Sequence, residues 1–215
     1  MRPRNKPKLR QLLAALLLTA GGLAGQSVRP DCCAHCPKAV PDTFTNAPAG
    51  SLCDLDAFWE TDSGNKVKLG DLNGRVRVIS MFYATCEGVC VITKEDMQSI
   101  EASLSREARK RVGFVLVTLD SKRDTTEALR KYRRVEGLSS NSWTLLRGDD
   151  NATSKLAALL GIGSGRDPSG RFVHSSELVV VDELGRVLSR QSGLRADLPA
   201  LARQIEAVAI LKPKI

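Results

Sequence analysis

The sequence predicts a three-layer α/β sandwich built around a central mixed β-sheet. Apolar runs at 76–83 and 112–119 have the composition of strands that are covered on both faces. Helical segments alternate with these strands, as they do in parallel βαβ units. Two further strands, 177–182 and 186–191, flank the turn Glu183-Leu184-Gly185, which predicts an antiparallel hairpin before a closing helix.

The remaining elements follow from local periodicity and turn residues. They are a small strand pair around the turn 62–65, a helix from about 92 to 109, a helix ending near 135, a short strand at 143–146, a short helix at 151–160, a loop at 163–170 and a closing helix at 196–211. Asp124 is expected to cap the helix that ends near 135, because Glu127 stands three residues later, in the capping-box position. This order matches the thioredoxin arrangement, with an insertion before the last hairpin.

Residues 1–25 are predicted to be a signal peptide or an N-terminal anchor. A basic stretch without acidic residues precedes the apolar residues 12–18 and a run of small residues, which is the pattern of a secretory signal. The apolar stretch is shorter than the roughly 20 residues that a membrane span needs. Residues 26–50 are predicted to be a linker and residues 51–215 the folded domain, which we expect outside the cytoplasm, in a bacterial periplasm.

The charge of the chain gives no support for a nucleic-acid-binding function. The sequence has 32 basic and 24 acidic residues, a net charge of +8. Five of the positive charges lie in residues 1–25, which leaves +3 for the rest. The basic character of the chain is thus largely a property of its N-terminal segment, so no nucleic-acid partner is expected, and contact with a membrane is expected only through that segment.

Cys86 and Cys90 lie where a predicted strand ends and a predicted helix begins. The partial positive charge and free N–H groups of a helix N-terminus favour thiolates, which bind soft metals and exchange disulfides. Residues i and i+4 share one helix face, so the two sulfurs can approach each other. His174, which precedes the hairpin, is expected beside them, because the loop before that hairpin passes the start of the cysteine helix. Two thiolates and one imidazole would suit copper, as Cu(I) or as Cu(II) with an added oxygen ligand.

A second group of possible metal ligands lies in the predicted linker. Three cysteines and a histidine fall within five residues and could capture a soft metal ion or form a disulfide: Cys32, Cys33, His35 and Cys36. Cys53 has no partner nearby in the sequence and is expected to be a buried structural residue.

From Ser51 onward the chain resembles the Sco/SenC family of thioredoxin-like copper proteins. The resemblance rests on four ordered blocks, at 72–76, 82–90, 118–125 and 173–175. It implies that Cys86, Cys90 and His174 are metal ligands and that an acidic residue of the 120–124 block, with Asp120 favoured, lies near the site and orients it or a partner. The alternative is that Asp120 simply ends a strand, as Asp124 is expected simply to cap its helix.

The chain departs from the family pattern at two positions. The family usually has proline after each cysteine, whereas Glu87 and Val91 stand there in this chain. We expect the Glu87 carboxylate to raise the pKa of the nearby thiols and to be available as an oxygen ligand.

The resemblance implies a copper metallochaperone, an assembly factor for the binuclear copper site of cytochrome c oxidase. Its partners would be an oxidase subunit as acceptor and another copper chaperone. The alternative is an enzyme, a thiol–disulfide oxidoreductase in which one of Cys86 and Cys90 attacks a partner disulfide and the other resolves the mixed disulfide. A thiol peroxidase is a weaker alternative, since no residues that would activate a peroxide can be identified.

Overall fold

A computed structural model describes residues 50–166, 168, 172–195 and 197–210. Within these ranges the strands are β1 (Trp59–Thr61), β2 (Lys66–Val67), β3 (Val76–Phe82), β4 (Val112–Thr118), β5 (Trp143–Arg147), β6 (Ser164–Arg166), β7 (Phe172–His174), β8 (Glu177–Val181) and β9 (Val187–Ser192). The helices are α1 (Val89–Ser103), α2 (Arg106–Arg111), α3 (Thr126–Val135), α4 (Asp150–Leu160) and α5 (Leu198–Ile210). None of these helices is long and apolar enough to cross a membrane.

Seven of the strands form one mixed sheet, in the order β2-β1-β5-β4-β3-β8-β9. β3, β4 and β5 are parallel, and β8 lies antiparallel to β3. Side chains of β3 alternate between two hydrophobic clusters: Val78 and Phe82 join the cluster that includes α1 and α5, while Ile79 and Met81 join the cluster that includes α4. The predicted three-layer sandwich with a mixed central sheet is therefore confirmed.

The topology brings several chain segments to one edge of the sheet. The segments that follow β3, β4 and β5 leave at the same edge, because these three strands are parallel. Since β8 runs opposite to β3, the residues that precede β8 arrive at this edge as well. Clefts outside the carboxyl ends of parallel strands are the usual ligand sites of open α/β sheets.

Three local predictions were wrong. The first helix does not continue to residue 109: α1 ends at Ser103, and Ser105 caps a separate helix by accepting a hydrogen bond from Ala108 N. The predicted loop at 163–170 contains β6, which pairs with β7 in a small sheet of its own. The cap of α3 is Thr125, not Asp124, since the Thr125 side chain accepts from the backbone N–H of Ala128.

Candidate metal centre

Of the predicted cysteine pair, Cys86 lies in the short turn between β3 and α1, and Cys90 lies at the start of α1. The backbone N–H of Cys86 donates to Tyr83 O at 3.0 Å, and α1 begins three residues after Cys86. Cys90 therefore falls in the first turn of α1, where it is 2% exposed, while Cys86 is half-buried. Both thiols are free.

His174 is the last residue of β7 and contacts the buried thiol directly. Its Nε2 atom lies 3.0 Å from Cys90 Sγ, and its Nδ1 atom lies 2.9 Å from the carbonyl oxygen of Ser175. A carbonyl oxygen only accepts, so Nδ1 carries the proton and donates to it. The Nε2 lone pair is thereby left to face Cys90.

The ligand atoms of Cys86, Cys90 and His174 all lie within 4.8 Å of one another. This arrangement brings together the three residues that the sequence predicted as metal ligands. Two sulfurs and an imidazole nitrogen are soft and borderline donors, which suit Cu(I). Structural zinc sites usually have four protein ligands. In the part of the chain that the structure describes, the ligand cluster has these three members and no fourth.

The hairpin formed by β6 and β7 holds His174 in place. Ser175 N donates to Gly163 O at 2.8 Å, across the base of this hairpin. On the other side, the Tyr83 ring packs against the Phe172 ring with centroids 5.9 Å apart, and the Tyr83 hydroxyl lies 3.4 Å from Phe172 O. The imidazole is thus tied to the same turn that carries Cys86.

The surroundings of the two thiols move their pKa values in opposite directions. Burial raises the pKa of Cys86, but hydrogen bonds from the Cys90 thiol, from the N–H groups of Gly88 and Cys90 and from the Tyr83 side chain outweigh it, so the net pKa is lowered. The pKa of Cys90 is raised, first by burial and then by its neighbour Cys86. Cys86 is therefore the thiol that ionises first, with the helix N–H groups that the sequence predicted among its donors.

Burial lowers the pKa of His174 below its ordinary value, and the hydrogen bond to Ser175 offsets only part of this effect. The imidazole is accordingly neutral near pH 7, which is the protonation state that a metal ligand requires. Cys90, as a protonated thiol, has one S–H, which it can donate either to the free Nε2 atom or to the Cys86 sulfur. The site without metal therefore holds one acidic thiol and, beside it, a protonated thiol that contacts the imidazole.

The acidic residue that touches the cysteine turn is Asp124, whereas the prediction singled out Asp120. Asp124 is 2% exposed, and its Oδ2 atom accepts hydrogen bonds from Ala84 N at 2.9 Å and from the Thr118 hydroxyl. Ala84 lies two residues before Cys86, so Asp124 fixes the turn that presents the first thiol. Asp120 is also buried, but its carboxylate faces Arg123 at 3.5 Å, and it is not a member of the ligand cluster.

Glu87 is solvent-exposed and lies outside the ligand cluster. The expectation that it raises the pKa of the nearby thiols does not hold for Cys86, whose pKa is lowered. Burial and Cys86 are the causes that raise the pKa of Cys90. Adjacency in sequence does not bring the Glu87 carboxylate to the sulfurs, because the side chain points into solvent.

The remaining cysteines fall into two groups. Cys53 is disulfide-bonded and only half-buried, so the expectation of a buried residue was wrong. The predicted linker cluster lies outside the described residues, as do the predicted signal segment and most of the linker: Cys32, Cys33, His35 and Cys36.

Comparison with known proteins places this chain in a family. The SCO1/SenC family model matches residues 58–209. A candidate copper-binding protein of Stutzerimonas stutzeri is 31% identical over 61 residues, a match that covers 28% of this chain and 30% of that relative.

Three solved structures illustrate the shared fold. A SCO1/SenC family lipoprotein of Bacillus anthracis has a TM-score of 0.67 at 20% identity, covering 80% of this chain and 99% of its own. Yeast Sco1 with copper bound has a TM-score of 0.61 at 18% identity, covering 79% and 92%. BsSco, described as a member of the Sco family of cytochrome c oxidase assembly proteins, has a TM-score of 0.65 at 19% identity, covering 78% and 98%. These likenesses confirm the predicted thioredoxin-like fold, and because the family model matches well over half of the sequence, the chain belongs to the SCO1/SenC family.

Proposed function

We propose that this chain binds one copper ion through Cys86, Cys90 and His174 and delivers it to an acceptor protein. The observation that carries the proposal is the convergence of these three ligand atoms within 4.8 Å, on elements as distant in sequence as α1 and β7. A buried cysteine and a neutral histidine could each serve packing alone. Packing does not require two sulfurs and a free imidazole lone pair to face one another at the edge of the sheet.

Each ligand has a distinct part in binding. The Cys86 sulfur is half-buried and has the lower pKa, so it is the first donor that an incoming ion meets. Cys90 gives up its proton and its hydrogen bond to His174 as the ion binds, which frees the Nε2 lone pair to complete the site. Because Cys86 is the more accessible of the two sulfurs, an acceptor would release the ion by exchanging its own ligand there first.

The acceptor that we propose is the copper-carrying subunit of cytochrome c oxidase, and the supplier is another copper chaperone. Support comes from membership of the SCO1/SenC family and from relatives such as BsSco, whose family is described as assembling this oxidase. We further propose that the chain acts outside the cytoplasm, in a bacterial periplasm, with residues 1–25 as its signal or anchor.

A Cu(I) titration of the full-length chain tests the copper site. Wild type is expected to bind one ion tightly at the site, and Cys86→Ser/Cys90→Ser to lose it, because both sulfur ligands are gone. His174→Ala should weaken binding by at least about tenfold, the effect of roughly 1.4 kcal/mol. His35→Ala measures any contribution of the cluster at Cys32, Cys33, His35 and Cys36, since it removes the other histidine of the chain and leaves Cys86, Cys90 and His174 in place. The same affinity in all four proteins would refute the proposal.

A second candidate function is thiol–disulfide exchange at the same cysteines. It is favoured by the asymmetry of the pair: Cys86 has a lowered pKa and is accessible, as an attacking thiol requires, and buried Cys90 lies beside it to resolve the mixed disulfide. Reduction of insulin disulfides by copper-free protein measures this activity. Rapid turnover that survives His174→Ala would support the oxidoreductase, because exchange does not need the histidine.

A further inference from the structure

Two contacts join α1 to the segment that carries His174. Cys90 Sγ lies 3.0 Å from His174 Nε2, and the Thr93 hydroxyl lies 3.0 Å from the Ser176 hydroxyl. Cys90 and Thr93 are three residues apart in the helix, so they share one of its faces. The second contact therefore repeats the first, a few residues further along each segment, between two hydroxyls that are not members of the ligand cluster.

The donors and acceptors of this second contact can be assigned. Thr93 is 2% exposed, and its Oγ1 atom lies 2.9 Å from Val89 O, one turn back in the helix. A carbonyl oxygen only accepts, so the single hydroxyl proton of Thr93 goes to Val89 O. Ser176 is therefore the donor to Thr93 Oγ1. Two successive hydrogen bonds thus run from Ser176 to the first residue of α1.

The backbone at 176–177 is fixed to the central sheet. The carbonyl oxygen of Ser176 accepts from Gly193 N at 3.0 Å, and the carbonyl oxygen of Glu177 accepts from the Ser80 hydroxyl at 2.8 Å. Ser80 is a buried residue of β3. Because the sheet fixes this backbone, the hydroxyl bond to α1 sets the distance between the helix and the segment that carries the histidine.

We propose that the Thr93–Ser176 hydrogen bond positions His174 against the cysteine pair, so that one metal ion meets all three ligands together. The inference rests on the proposed copper function. Thr93 and Ser176 are positioning residues, since neither offers an atom to the ligand cluster. Groups that orient a metal ligand without touching the metal often change its affinity by about 10–100-fold when they are removed. Here the bond acts through the backbone between His174 and Ser176, so the smaller effect of one neutral hydrogen bond is expected.

Cu(I) titration of full-length variants tests the bond. Ser176→Ala removes the donor and leaves the bond between Thr93 and Val89 in place. Cu(I) affinity should fall about fivefold in Ser176→Ala and in Thr93→Val, and the double variant should lose no more than Thr93→Val, because both changes remove the same bond. Thr93→Ser keeps a hydroxyl and should bind like wild type. Ser63→Ala is the matched control, since it removes another hydroxyl–hydroxyl bond, the one of 2.7 Å between Thr61 and Ser63 in the turn after β1.

The same titration in a His174→Ala background separates positioning from a general loss of stability. If the bond acts through the imidazole, Ser176→Ala should change Cu(I) affinity by less than about twofold once the imidazole is absent. A general destabilisation of the fold would lower the affinity by the same factor in both backgrounds.

Hydrogen exchange tests the same bond without copper. The Ser175 amide lies between His174 and Ser176 in the chain and donates to Gly163 O at 2.8 Å. In the reduced, copper-free protein, this amide should exchange several-fold faster in Thr93→Val than in wild type or Thr93→Ser, because the segment loses its bond to the helix.

The possible results separate this inference from the proposed function. If wild type binds copper and Ser176→Ala binds it equally well, or loses as much affinity without the His174 imidazole as with it, the positioning role is refuted. An equal exchange rate of the Ser175 amide in Thr93→Val and wild type refutes it as well. Failure of wild type to bind copper would instead refute the proposed function, and the exchange measurement would still decide whether this bond holds the histidine segment.

Discussion

Replacing Asp124 by alanine removes the acceptor that holds the cysteine turn against β4. The Oδ2 atom of Asp124 takes both hydrogen bonds, from Ala84 N and from the Thr118 hydroxyl, and the site is almost fully buried. Alanine therefore leaves two donors without a partner, at about 1–3 kcal/mol for each buried group. Part of this cost is offset, because burial raises the pKa of Asp124 and the charged carboxylate is itself disfavoured there. We expect a net loss of about 2–4 kcal/mol in the free energy of unfolding.

Urea unfolding of the reduced, copper-free protein measures this loss, and Asp124→Asn is the matched control. An amide oxygen in the place of Oδ2 can accept both hydrogen bonds, so the asparagine variant should stay within about 1 kcal/mol of wild type. Cu(I) affinity should follow the same order, falling several-fold in Asp124→Ala only, because Ala84 lies two residues before Cys86. A loss below about 1 kcal/mol in Asp124→Ala, or equal losses in both variants, would show that these hydrogen bonds do not hold the turn.

Three further predictions follow from the site and the core. Apparent Cu(I) affinity should rise at least about tenfold per pH unit up to the raised pKa of Cys90, because this thiol loses a proton when the ion binds. A competition titration between pH 6 and 9 measures this dependence, and an affinity that does not change with pH would contradict it. In the reduced, copper-free protein, iodoacetamide should alkylate Cys86 at least about tenfold faster than Cys90, since Cys86 is more exposed and has the lower pKa. Mass spectrometry measures the two rates, and equal rates would contradict the difference in pKa and exposure between the two thiols. Gly148→Ala should lower the free energy of unfolding by about 1–3 kcal/mol, because the new Cβ would lie 2.5 Å from the buried Trp59 ring. Gly163→Ala, whose Cβ would meet its nearest atom at 3.8 Å, should lower it less, and thermal or urea unfolding measures both changes.

The sequence predicted the candidate metal ligands because each lies next to an element with a strong local signal. The apolar run that becomes β3 leads directly to Cys86 and Cys90, and the hairpin signal places His174 just before β8. Once β3 and β8 are adjacent and antiparallel, the end of one strand and the start of the other must meet at the same edge of the sheet. The convergence of the three ligands follows from that pairing and needs no knowledge of side-chain packing.

The helix cap and the strand that the sequence did not predict depend on contacts between residues that are distant in the chain. In the sequence Asp124-Thr125-Thr126-Glu127, either of the first two residues can cap the helix, and local spacing favours Asp124. In the fold, Thr125 caps the helix and Asp124 turns inward, where Ala84 N needs an acceptor. The sequence did not predict β6 for a related reason. Its residues Ser164, Gly165 and Arg166 are all exposed, and they form a strand only because β7 pairs with them.

The missing prolines illustrate how a departure from a family pattern can be compensated within the fold. With Val91 in place of proline, the chain keeps a backbone N–H, and this group donates to Gly88 O at 3.1 Å, one turn back. Proline could not make this bond, because it has no N–H. The hydrogen bond holds the first turn of α1 in the way that a fixed proline ring would, so Cys90 still faces Cys86 and His174. In this chain a hydrogen-bonded valine therefore supplies the helix start that places Cys90 at the candidate metal site.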